Sequence, residues 1–483
     1  MTPLPRPARI ALCTLAFLPF SLDAEEQPTT GLRAGTAAVD ISPTVFPITL
    51  RSGKSELVHD PLHVRAVAFE NGTGRAVLAL VDDIGAGREG TDAAKAAAAE
   101  RTGWKPEEML ISATHTHSAP KGGDTSEGRI AYEQRRREGM TEAIVKAIES
   151  LEPAKVGFAR DEEPDEVNNR RWHLKPGTMR PNPFGEMDRV ATNPPRGNLL
   201  KPAGPTDPEV CVVDVRTRRG RPLGLVANYS LHYVGGIPKL RDERGREVGM
   251  ASADYYGEFA RIMPYRLGGS NPPENFVAMM TNGTSGDINN IDFPGKRAPR
   301  APFEQVRVVA TKTADAAWRA VRKIEEYDEN PLVAMRQREV ELSYRSMTEA
   351  EVERALELLK LTRKEREPLH AKSQQYANAT VRHSEPGRSE KVLVQAIRIG
   401  EQAIVSMPFE VLVEIGLEIK ERSPFPHTFT ISLANGGYGY LPPPHQHELG
   451  GYETWIGTSR FEKDSSVVLT EQLMEMLAEL RAL

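Results

Sequence analysis

Cysteine is nearly missing from this sequence: 483 residues contain two, Cys13 and Cys211. Cys13 lies in an apolar leader, so a processed chain keeps one. That excludes an internal disulfide and any cysteine-based zinc site. Basic blocks are missing too. The chain has 62 Lys and Arg against 67 Asp and Glu, a net charge of −5 with no cationic cluster, so no nucleic-acid footprint is expected. Past the leader no run approaches ~20 apolar residues, so the mature chain is read as having no transmembrane segment. No G-x-S-x-G is present, which argues against a serine hydrolase of the nucleophile-elbow type. No phosphate loop and no internal repeat are found. With 39% hydrophobic and 27% charged residues, the composition excludes a collagen, a coiled coil and a wholly disordered chain.

Residues 1–24 have the build of a secretory signal peptide. Arg6 and Arg9 precede an apolar stretch from Ile10 to Leu22, and Ala24 stands at a cleavage position. Cys13 sits inside that stretch, which argues against a lipoprotein anchor. The expected location is secreted or periplasmic. Residues 31–483 are read as one large domain.

Apolar runs separated by helical segments predict an α/β fold. Residues 76–81 (AVLALV) read as a buried strand, 91–102 as a helix stopped by Gly103, and 109–113 (MLISA) as the next strand. Such a β-α-β unit favours parallel strands. A long helix follows over about 129–151. Residues 173–208, rich in Pro, Gly and Asn, read as a long ordered loop. Further strands are expected at 223–229, 276–281, 403–406 and 428–433. A charged helix opened by the Thr348-x-x-Glu351 capping box spans 348–372, and an amphipathic helix closes the chain at 465–483. The expected architecture is mixed, largely parallel sheet with flanking helices in a single large catalytic domain.

Five polar motifs each follow a predicted strand: Thr114-His115-Thr116-His117-Ser118, His232, the loop Asn282 to Asn290, Pro408-Phe409-Glu410, and Asn435-Gly436-Gly437-Tyr438-Gly439-Tyr440. Open α/β sheets bind ligands at the carboxyl ends of their strands, so motifs far apart in sequence can meet there. Taken singly, each has an ordinary role. His-x-His places two imidazoles on one face of an extended segment, which suits a metal or a satisfied histidine pair. His232 suits a core, Glu410 the first turn of a helix, and the tyrosines packing beside a glycine-rich turn.

Together these segments resemble the neutral ceramidase family, zinc amidases that cleave N-acyl-sphingosine. The matches run in family order: Ala34 to Pro43, the His-Thr-His-Ser segment, Asn169-Arg170, Asp207-Pro208-Glu209-Val210, Ser252-Ala253-Asp254, Gly286-Asp287, Pro408-Phe409-Glu410, and Gly439-Tyr440 with Tyr452-Glu453. The resemblance implies Zn2+ held by His115, His232, Glu410 and Tyr440. It implies substrate contact by His117, and a polar head and oxyanion held by Arg170 and Tyr452. It covers the family's catalytic domain and not the immunoglobulin-like domain that follows it there. The family's essential serine falls at Asn289, which cannot act as a hydroxyl nucleophile, and Ser285 lies on the other side of the glycine. The expected activity is therefore cleavage of a small-molecule or lipid amide by metal-activated water. The alternatives are a related zinc hydrolase for a non-lipid amide or ester, and a non-catalytic metal-binding homologue. The oligomeric state is left open.

Overall fold

Strands that stay apolar for five or six residues need cover on both faces, and the architecture supplies it. The computed structural model describes Met1 and residues 31–483, except Asp124, Asp242, Glu243, Glu274 and Lys296. The leader expected over 1–24 lies outside the described residues apart from Met1. Eight strands form the larger sheet: β1 Arg33–Asp40, β2 His63–Asn71, β3 Gly74–Val81, β4 Met109–Ala113, β5 Glu152–Glu162, β6 Glu209–Thr217, β7 Pro222–Tyr229 and β8 Val277–Asn282. Their order is β8-β7-β6-β5-β1-β2-β3-β4. A second sheet runs in chain order through β9 Val333–Ser343, β10 Ser389–Ile399, β11 Gln402–Ser406 and β12 His427–Ile431.

The layers stack helix on sheet on sheet on helix. Helices Arg88–Thr102, Glu127–Glu149, Asp254–Gly268 and Glu304–Arg322 cover one face of the larger sheet. Alternate residues such as Val67, Leu78, Val213 and Met279 face the other way, onto Ile397, Ile404 and Phe429 of the second sheet. Helices Val413–Arg422 and Ser465–Arg481 close the outer face of that sheet through Ile415, Ile419, Leu473 and Leu477. Among the described residues no helix is long and apolar enough to cross a membrane.

The largely parallel sheet expected from the sequence is overturned. Five of the seven strand pairs in the larger sheet are antiparallel, and two of the three in the smaller. The three parallel pairs, β3·β4, β7·β8 and β11·β12, are each spanned by a helix, so the β-α-β units are real. The physical reason lies in the layering. A sheet sandwiched between helices and a second sheet is apolar on both faces whatever its strand direction, so continuous apolar runs do not report parallel pairing. The overlooked strands β1, β2, β5, β6, β9 and β10 carry charges within them, as in Val-Ala-Met-Arg-Gln-Arg-Glu-Val-Glu-Leu-Ser of β9. They are the ones that insert antiparallel.

Two helical expectations are refined. The 348–372 helix breaks after Lys360, where Thr362 and Glu365 form a second capping box behind that of Thr348 and Glu351. The 173–208 loop contains two short strands, Ala191–Thr192 and Leu199–Pro202, paired on Arg171–Leu174.

What positions the site is the meeting of strand ends. β4 and β8 are opposite edges of the larger sheet, yet Asn282 Nδ2 donates to the Thr114 carbonyl at 3.3 Å. Ser432 N bonds the Asn282 carbonyl, and Leu433 N the Phe409 carbonyl. The carboxyl ends of β4, β8 and β12 and the Phe409 segment after β11 thereby gather in one place.

Candidate metal centre

His115 follows β4 with φ 68°, a left-handed conformation that costs a non-glycine residue ~1–3 kcal/mol. It is held there by its N–H on the Asp83 carbonyl at 2.9 Å and by Nδ1 on the Ile84 carbonyl at 2.6 Å. A carbonyl only accepts, so Nδ1 carries the proton and Nε2 presents its lone pair inward. His232 repeats the device. It follows β7, and its Nδ1 donates to the Ser285 carbonyl at 3.1 Å. Both imidazoles are therefore fixed in the tautomer that a metal ligated through Nε2 requires.

Glu410 comes from the short strand Glu410–Val411, which pairs in parallel with Tyr440–Leu441 so that Glu410 lies directly beside Tyr440. Glu410 Oε2 stands 3.3 Å from His115 Nε2 and 3.6 Å from His232 Nε2. That oxygen is buried and receives no hydrogen bond from the described residues. A buried acceptor aimed at two lone pairs is a place for a cation. Ligands at ~2.0–2.1 Å around a tetrahedral ion stand about 3.4 Å from one another, which these separations match.

His117 is drawn in as well. Its Nε2 is 3.1 Å from His115 Nε2, its ring stacks on Tyr233 at 3.6 Å, and ligand atoms of His115, His117 and His232 all lie within 4.8 Å of one another. The described residues thus hold a His-His-Glu cluster able to coordinate a divalent metal, with a third imidazole in reach. Burial, then the neighbouring imidazoles, push His117 and His232 below the ordinary histidine range and keep them neutral. Burial raises the Glu410 carboxyl, but His115, His232 and the Tyr440 hydroxyl outweigh it and bring it to about 2. Burial first, with Glu410 adding to it, pushes the Tyr440 phenol well above its ordinary range, against the pull of Arg170.

Arg170 is committed. Its Nη2 donates to the Tyr440 hydroxyl at 2.9 Å and its Nε to Glu453 Oε1 at 2.8 Å. Glu453 Oε2 receives Arg171 Nη1 at 2.7 Å and Thr192 Oγ1 at 2.6 Å. Arg170, Arg171 and Glu453 are all buried. Tyr452 is half-buried, with its ring 5.5 Å from that of Tyr440. Asn289 lies in the Ile288–Asn289 strand paired with Asn168–Asn169, and its Nδ2 donates to Asn193 Oδ1 at 2.6 Å. Ser285 spends its hydroxyl on Asn282 Oδ1 at 2.7 Å.

Sequence reasoning missed the supports. Glu453 stands out in the sequence only as part of a motif, and the Ile84 and Ser285 carbonyls carry no residue signature at all. Ser252-Ala253-Asp254 also proves to be a buttress. The Ser252 carbonyl accepts from Thr116 Oγ1 at 2.8 Å, and Asp254 accepts from Val234 and Gly235 N–H just after His232. Gly286 lets two loops touch: a Cβ there would lie 2.7 Å from the Glu410 carbonyl oxygen and 2.9 Å from Val411 backbone. Gly286→Ala must push the Glu410 strand outward. Metal affinity is expected to fall ~10–100-fold, as for a lost outer-shell support, with the far-ultraviolet circular dichroism unchanged. Competition with a chelator measures it.

No family profile and no curated protein matches the chain. Solved structures do. Neutral ceramidase from Pseudomonas aeruginosa is 16% identical with a TM-score of 0.67, over 94% of this chain and 75% of that one. A ceramidase complexed with C2 is 15% identical with a TM-score of 0.68, over 94% and 76%. The chain has the ceramidase fold. At this identity the likeness concerns architecture, and it extends over almost all of this chain.

Proposed function

We propose that the protein is a zinc-dependent hydrolase that cleaves a carboxylic amide, a class to which N-acyl-sphingosines belong. The observation that carries this reading is the aim of two tautomer-fixed imidazoles at the partnerless oxygen of Glu410. The ceramidase fold supports the substrate class. Two neutral imidazoles with carboxylate and phenol oxygens suit zinc, a borderline metal. We assign His115, His232, Glu410 and Tyr440 as its ligands. Zinc bound there supplies Lewis acidity and brings the pKa of water from 15.7 toward ~7.

The chain's own residues do the remaining work. Neutral His117 accepts a proton at Nε2 from the attacking water and returns it to the leaving nitrogen. A C–O bond forms, the acyl C–N bond breaks, and a carboxylic acid and an amine result. The Tyr452 hydroxyl, kept protonated by burial and by Glu410, donates to the developing oxyanion. Arg170 fixes Tyr440 and adds positive charge toward the same oxygen. Asn289 serves as a polar contact, and water attacks without a protein nucleophile.

Metal analysis coupled to a panel of long-chain ceramides, short-chain amides and esters tests the proposal. One zinc per chain is expected, with amide hydrolysis lost on chelation and restored by zinc. Stoichiometric zinc without hydrolysis of any amide or ester would instead favour a non-catalytic metal-binding homologue.

A further inference from the structure

The imidazoles that meet at the centre are held in two different ways. His115 and His232 each set Nδ1 on a main-chain carbonyl, that of Ile84 at 2.6 Å and that of Ser285 at 3.1 Å. Among the described residues no hydrogen bond reaches Nδ1 of His117. Its ring lies flat on Tyr233 instead, with centroids 3.6 Å apart and planes 16° from parallel. A carbonyl at Nδ1 fixes both the ring and its tautomer, as a ligand requires. A flat ring contact fixes the plane and leaves either nitrogen free to hold the proton. That suits a group that takes up a proton and gives it back.

The Ser252–Asp254 turn keeps the two rings together. Ser252 grips the residues on either side of His117: its N–H donates to the Ser118 carbonyl at 3.1 Å, and its carbonyl accepts from Thr116 Oγ1 at 2.8 Å. Asp254 grips the residues just after Tyr233, accepting from Val234 N–H at 3.0 Å and Gly235 N–H at 2.8 Å. The turn is itself pinned by Ala253 N–H on Asp60 at 2.7 Å. Gly235, at φ 71°, leaves room for the tyrosine, since a Cβ there would stand 3.3 Å from its Cε2. Tyr233 meets His232 only by an edge, with centroids 5.5 Å apart and planes at 62°. We propose that Tyr233 is a positioning residue for His117: its ring holds the imidazole in the plane that keeps Nε2 turned toward the centre, 3.1 Å from His115 Nε2. Tyr233 acts through that ring alone. The inference rests on the hydrolase reading for its consequence in rate, and on the ring geometry alone for its consequence in structure.

The test compares the full chain carrying Tyr233→Leu, which is apolar but has no flat face, with Tyr233→Phe, which keeps the face. The first readout needs no turnover. In the metal-free protein with isotope-labelled histidine, the His117 ring signals are the nuclear magnetic resonances missing from His117→Ala. Lying over a tyrosine face, they are expected upfield of ordinary histidine positions. They should move downfield in Tyr233→Leu and stay in Tyr233→Phe, with the Nδ1–H signals of His115 and His232 unchanged. The second readout uses the zinc-loaded protein and whichever amide of the panel above is cleaved fastest. Tyr233→Leu is expected to keep one zinc per chain and to lower kcat ~10–100-fold, as for a misplaced reacting group. KM should stay within about twofold, because substrate binding is untouched, and Tyr233→Phe restores the rate. In a His117→Ala background Tyr233→Leu adds nothing, since the two residues act as one unit. His117 signals that stay in place in Tyr233→Leu, zinc lost with the tyrosine, or a loss of rate that persists without His117 overturns the inference and leaves the hydrolase reading standing. If no amide is cleaved the hydrolase reading falls, and the ring signals alone decide whether Tyr233 positions His117.

Discussion

His115→Ala and Glu410→Gln are each expected to lose stoichiometric zinc and to lower kcat/KM on an amide by more than about 10³-fold, because the activation of water that a bound metal supplies goes with it. The two variants fail for different reasons. His115→Ala removes a nitrogen that the fold holds at φ 68° against the Asp83 and Ile84 carbonyls. Glu410→Gln keeps the shape and removes the negative charge that balances the cation. His117→Ala separates ligand from proton carrier. As a proton carrier it keeps zinc and loses ~10²–10⁴-fold in rate; as a ligand it weakens zinc binding. Metal content by mass spectrometry beside steady-state kinetics reads all three. Full zinc content in His115→Ala would mean that the cluster is a set of packed histidines.

The second large effect is expected at Glu453, which touches none of the assigned ligands. It is fully buried and pairs with two buried guanidiniums at 2.8 and 2.7 Å. Glu453→Ala leaves both cations without their carboxylate, a change that costs ~3–5 kcal/mol for a single broken buried pair. It also frees Arg170 from the position in which Nη2 meets the Tyr440 hydroxyl. Urea denaturation should show the loss of stability, and chelator competition should show weaker zinc binding in whatever fraction folds. A loss under ~1 kcal/mol would mean that solvent reaches the arginines after all.

The side chains that the structure gathers were more legible in the sequence than the fold that gathers them. Histidine, glutamate, tyrosine and glycine-rich loops declare themselves by residue type, and each stood just after an apolar run that proved to be a strand, as His115 does after β4 and His232 after β7. The convergence of strand ends follows from the three helix-spanned parallel pairs, which were the readable part of the topology. Strands such as β6 and β9 place Asp214 or Arg338 inside elements whose other residues face two different layers, so neither a period of two nor a continuous apolar run marks them. The hidden half of the centre has a different cause. Tautomers of His115 and His232 are set by main-chain carbonyls, and any residue type supplies a carbonyl.

Crystals of the zinc-loaded protein, measured on both sides of the zinc absorption edge, decide whether these side chains share one ion. One strong anomalous peak is expected among His115 Nε2, His232 Nε2 and Glu410 Oε2, with the Tyr440 oxygen at bonding distance. A peak elsewhere, or none at full zinc loading, would contradict it.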